Sequence, residues 1–66
     1  MSDDLWIGTT EAARRLGVRP RTVARFIGRG ELPAYKFGRV IRIRVDDLEA
    51  FIESCRIEPG TLTTEL

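Results

Sequence analysis

Histidine is absent from this chain, and cysteine, tryptophan and tyrosine occur once each. Without histidine, the usual general base near neutral pH and the commonest zinc ligand are missing. Cys55 has no second thiol for a disulfide and no imidazole to activate it. Its helical spacing from Leu48 and Phe51 reads as packing, and a single cysteine fits a reducing cytoplasm. No apolar run approaches the roughly 20 residues that cross a bilayer, and no hydrophobic signal core follows Met1-Ser2-Asp3-Asp4. A soluble, cytoplasmic protein is expected. Glycine-rich phosphate loops of standard spacing are also missing. These absences leave little for catalysis, so no enzyme activity, cofactor or metal is expected.

Carboxylates are scarce where cations are dense. Ten of the eleven basic residues lie between Arg14 and Arg44, where Glu31 is the only acid, giving +9. Elsewhere Arg56 faces nine carboxylates, giving −8, so a whole-chain charge of +1 conceals strong polarisation. Ten of the eleven are arginine, whose planar fork suits bidentate contacts to phosphate and guanine. A basic surface of this kind favours a phosphate backbone.

Sixty-six residues make one small domain, near the lower limit for folding without disulfides or metal. Leu5-Trp6-Ile7 reads as an apolar lead-in, with Trp6 over the core edge. A first helix is expected from about Thr9 to Leu16, capped by Gly8 or Thr9, with Ala12, Ala13 and Leu16 facing inward. Gly17 stops it and Val18 is expected to plug the core. Pro20 suits the first position of a second helix running to about Arg29 and ending at Gly30. Val23, Phe26 and Ile27 share its inner face, while Arg21, Thr22, Arg25 and Arg29 lie opposite. Helix, short glycine turn, helix is the spacing of a helix-turn-helix.

Glu31-Leu32-Pro33 reads as a turn and 34–37 as a strand. Gly38-Arg39 reverses the chain into a second strand over 40–45, with Ile41, Ile43 and Val45 on one face and Arg42 and Arg44 on the other. Tyr35 and Phe37 are expected in the core. Asp46 as N-cap and Glu49 at the third helical position open a last helix whose stripe is Leu48, Phe51, Ile52 and Cys55. The expected organisation is a small α+β winged helix-turn-helix over 1–56 with a flexible tail over 57–66.

Three runs, Thr10-Glu11-Ala12-Ala13, Leu16-Gly17-Val18 and Arg21-Thr22-Val23, resemble the opening of excisionase-type, MerR-like winged-helix domains. Gly30-Glu31-Leu32-Pro33-Ala34-Tyr35 resembles the lead into that family's wing. Gly38-Arg39, Arg42-Ile43 and Asp47-Leu48-Glu49-Ala50-Phe51 resemble its wing and final helix. The resemblance covers about Ile7 to Ile52. It departs at Gly8 and Arg19, where hydroxyl residues are frequent, and at Ile41, where an aromatic is frequent. It implies a double-stranded DNA partner, with the second helix in the major groove and the wing near the minor groove. It further implies a role beside a tyrosine integrase, binding and bending attachment-site DNA during excision.

Arg21, Thr22 and Arg25 are the candidates for base edges, because the start of a recognition helix reaches deepest. Arg19 and Arg29 flank the helix for phosphates. Arg39 at the wing tip suits a narrow minor groove, with Lys36 and Arg42 on the backbone beside it. Arg14, Arg15 and Arg44 have weaker claims. One such module binds modestly, so cooperative self-association on DNA is expected. The alternatives are a small transcriptional regulator without an integrase, or a protein-interaction or antitoxin-like module.

Overall fold

Three residues, Gly17 to Arg19, separate helix α1 (Thr9–Leu16) from helix α2 (Pro20–Gly28). They belong to a computed structural model that describes residues 5–57. Gly17 takes φ 73°, so its N–H and that of Val18 turn back onto the Arg14 and Ala13 carbonyls and close α1. Pro20 then starts α2 where a missing N–H costs nothing. Ala12, Ala13 and Val23 are fully or almost fully buried where the two helices cross. Val18 does not plug the core: its backbone completes the helix end and its side chain stays at the surface, 36% exposed.

Gly30 repeats the device at φ 76°, with the Glu31 and Leu32 N–H groups both bonded to the Phe26 carbonyl. That reversal drives Leu32 into the centre, where it is 1% exposed. The segment expected as a surface turn thus supplies one of the largest buried side chains. The core also holds Ile7, Ile43 and Leu48, with Leu16, Phe26, Ile27 and Phe51 packed around it.

The sheet has three strands in the order β1 (Trp6–Ile7), β3 (Val40–Arg44), β2 (Tyr35–Phe37), all antiparallel. The expected two-stranded wing therefore gains a short partner, because Ile7 pairs with Ile43 and Trp6 with Arg44. Gly38 has φ 66° and Arg39 has no positive φ, the pattern of a two-residue type II′ loop. Tyr35 and Phe37 are not core residues. They pair with Arg42 and Val40, on the sheet face opposite Ile43, and are 42% and 53% exposed.

Helix α3 (Val45–Ser54) begins two residues earlier than expected, with Arg44 rather than Asp46 at its N-cap. Arg44 binds the Asp46 carboxylate through Nε and Nη2, both at 3.1 Å, so Asp46 serves an ion pair rather than capping. Its Oδ1 still accepts the Asp47 N–H at 3.0 Å. Leu48 is buried and Phe51 half-buried, but Ile52 and Cys55 are exposed, since this small core ends at Phe51. The thiol of Cys55 is thus not a packing element. Of the proposed 57–66 tail, residues 58–66 lie outside the described part.

Candidate nucleic-acid interface

Helix α2 is fixed from below by Val23, fully buried, and by the half-buried Phe26 and Ile27. Those three contacts set its rotation and turn Arg21, Ala24, Arg25 and Gly28 outward as one exposed strip at i, i+3, i+4 and i+7. Arg29 is exposed at the C-cap and Arg19 at the N-cap. Thr22 is half-buried, at the border between the core face and the open face. No acid occurs between Pro20 and Arg29, so the helix lacks the i,i+4 partners that usually accompany exposed cations.

Ion pairing trims the basic window at both ends and spares its middle. Glu11 holds Arg14 through Nε at 3.0 Å and Nη2 at 2.6 Å, and Arg15 through Nε at 2.9 Å. These hydrogen bonds, Arg14's first, lower the Glu11 pKa from 4.5 to about 2. Arg44 is held by Asp46, and the same contact keeps the Asp46 carboxyl below its ordinary range. Three of the ten cations are therefore occupied. The other seven are Arg19, Arg21, Arg25, Arg29, Lys36, Arg39 and Arg42. All seven are exposed and have no salt bridge among the described residues.

The wing distributes its cations over both faces and the tip. Arg39 occupies the loop, Arg42 pairs with Tyr35 on the outer face, and Lys36 pairs with Ile41 on the opposite one. Arg42 bends back, its Nη1 donating to the Ile41 carbonyl at 3.0 Å. The same Nη1 would lie 3.4 Å from a Cβ at Gly8, so the Arg42 guanidinium rests close to the α1 N-cap.

An aromatic group braces the hairpin base. Trp6 reaches from β1 across β3 to meet Tyr35 and Phe37 edge-on, at centroid distances of 5.1 and 5.3 Å. The Arg44 guanidinium lies 5.6 Å from the Trp6 ring centroid, and the Tyr35 hydroxyl reaches Asp47 Oδ2 at 3.5 Å. This brace, like the outward placement of Ala24 and Gly28, is not legible as part of the surface in the sequence. Small residues carry no chemical signal, and a two-residue strand is too short for alternation to mark it. Among the described residues there is no enclosed pocket, no cluster of potential metal ligands, and no helix long and apolar enough to cross a membrane.

A helix-turn-helix with an appended hairpin and an exposed, acid-free second helix has the geometry of a DNA-binding domain. No curated protein matches the chain. The sequence profile of the helix-turn-helix domain family matches residues 6–56, which span every helix and strand described above. The chain belongs to that family of small DNA-binding helix-turn-helix domains.

Proposed function

We propose that this protein is an excisionase-type accessory factor. It binds attachment-site DNA, bends it, and directs a tyrosine integrase toward excision. The observation that carries the DNA-reading part is the set of seven exposed cations without salt bridges among the described residues, confined to α2, its caps and the wing. Arg21, Thr22 and Arg25 read base edges in the major groove; Arg is suited to guanine O6 and N7, and Thr to a thymine methyl or a phosphate. Arg19 and Arg29 grip phosphates on either side. Arg39 enters the minor groove, and Lys36 and Arg42 hold the backbone on the two sides of the wing.

The excision role rests on the resemblance of Thr10-Glu11-Ala12-Ala13, Gly30-Glu31-Leu32-Pro33 and Asp47-Leu48-Glu49 to excisionase-type domains. A single module offers a small interface, so neighbouring protomers bind cooperatively and share the bending cost, of order 1–6 kcal/mol for 20–30 base pairs. The decisive experiment is a reconstituted excision reaction with a tyrosine integrase encoded beside the gene, followed by footprinting and a bend assay on tandem sites. Protein-dependent excision with cooperative, bent complexes is expected. Specific binding to straight DNA without cooperativity or any effect on an integrase would leave a transcriptional regulator.

A further inference from the structure

Phe37 and Val40 face each other directly across the β2–β3 pair and flank the two-residue turn Gly38-Arg39. They are 53% and 44% exposed and lie at the turn end of the hairpin. Trp6 accounts for one edge of Phe37, and Val40 lies directly across the strand pair from it. The contact with Trp6 and the cross-strand pairing leave about half of each side chain open to solvent. The pair's surroundings narrow what covers it. Residues 35–44 hold Lys36, Arg39, Arg42 and Arg44 and no carboxylate. Arg39 sits in the turn between the pair, and Arg42 shares their sheet face. The patch is thus apolar at its centre, cationic at its rim, and continuous with the basic surface of the wing.

We infer that Phe37 and Val40 form an apolar contact with the minor groove of double-stranded DNA, pressing on the deoxyribose wall while Arg39 enters the groove. The C–H surface of the sugars is the apolar part of a duplex that a wing can reach without disturbing base pairs. Apolar side chains beside an arginine are also a means by which proteins widen and bend the minor groove. This rests on the wing being a DNA-binding element, as proposed above. It adds a salt-insensitive contribution to binding otherwise dominated by phosphates.

The test is fluorescence anisotropy with a labelled duplex of mixed sequence, titrated across sodium chloride concentrations. Circular dichroism checks that each variant is folded. Phe37→Ser should weaken binding about fivefold to tenfold at every salt concentration, leaving the slope of log K against log[salt] unchanged. Val40→Thr, which keeps shape and strand preference, should weaken it about twofold to threefold in the same manner. Arg39→Ala should instead make the slope shallower by about one. If Phe37→Ser does not fold, Val40→Thr decides alone. Wild-type affinity in the folded variants overturns the inference. So does a loss that comes with a shallower slope, which would mean phosphate contacts. Unchanged single-site affinity with lost cooperativity between neighbours would assign the patch to a second copy and overturn it too. A wild-type slope shallower than about −2 would remove the DNA reading of the wing itself, a result separable from the others.

Discussion

The Trp6 indole meets the Tyr35 ring edge-on, with centroids 5.1 Å apart and planes at 85°. The two residues sit on strands that are not neighbours, since β3 runs between β1 and β2. The indole therefore spans the sheet and ties the outer strand of the wing to the start of the chain. Edge-to-face geometry favours such ring pairs by about 0.5–1.5 kcal/mol beyond area burial. Phe37 makes a second contact of the same kind, and the Arg44 guanidinium lies over the ring, 5.6 Å from its centroid.

Trp6→Ala should consequently destabilise the domain by about 2–3 kcal/mol, below the range for a fully buried ring because Trp6 is half-exposed. Urea denaturation followed by circular dichroism measures it. As the only tryptophan, Trp6 also reports its own environment. Its emission should shift when Tyr35 or Phe37 is replaced by alanine, and an unchanged spectrum would mean the ring does not rest on them.

Leu32→Ala should be more damaging. Leu32 is 1% exposed at the meeting point of helices and sheet. Truncating such a residue costs about 2–5 kcal/mol, comparable to the roughly 3–5 kcal/mol total of a domain this size. The variant should be largely unfolded at 37 °C in a thermal melt. Ile52→Ala, at a position 45% exposed, should change stability by less than about 0.5 kcal/mol. Equal effects from both would mean that α3, not the Gly30 reversal, anchors the core.

That contrast shows where the fold is legible in the sequence. Both helices of the helix-turn-helix are readable because Gly17, Pro20 and Gly30 punctuate them, and because Ala12, Ala13 and Leu16 share one face of the first and Val23, Phe26 and Ile27 one face of the second. Leu32 is not, since a Glu-Leu-Pro segment looks like a turn until tertiary contacts fix its direction. The α3 stripe is overextended in sequence to Ile52 and Cys55 because periodicity continues past the edge of a core too small to use it. Strand β1 has only two residues, too few for alternation to register. The interface is legible as charge: the seven candidate cations are exposed as expected. The pairing of Arg14 and Arg15 with Glu11 depends on side-chain geometry that spacing allows but does not dictate.

Glu11 offers a pH-dependent test. Its pKa is lowered from 4.5 to about 2 by Arg14 and then Arg15, so the folded state favours the ionised carboxylate. The stabilisation is complete above about pH 5 and is lost as pH falls through 4.5 toward 2, where the folded group finally binds its proton. Glu11→Gln should lower stability above about pH 5 and flatten its decline between pH 4.5 and 2, so that variant and wild type converge at acid pH in thermal melts. The same substitution releases two guanidinium groups beside α2. Binding to mixed-sequence DNA should tighten at low salt, and the salt slope should steepen by up to about two. An unaltered slope would place Arg14 and Arg15 out of reach of the duplex.

The proposed reading role of Arg25 and gripping role of Arg29 can be tested separately, because the rotation imposed by Val23 gives the two residues different outlooks. Arg25 belongs to the central outward strip with Arg21, Ala24 and Gly28, flanked by residues too small to hold a duplex away. Arg29 lies at the helix end, where the chain already turns toward Gly30. Arg25→Ala should cost about 1–3 kcal/mol on the specific site and relax discrimination at one base pair. Arg29→Ala should weaken all sequences alike and make the salt slope shallower by about one. Both follow from competition binding against a site library at two or more salt concentrations. Uniform, sequence-independent losses from both variants would show that α2 lies along the backbone instead of entering the groove, and would shift recognition to the wing.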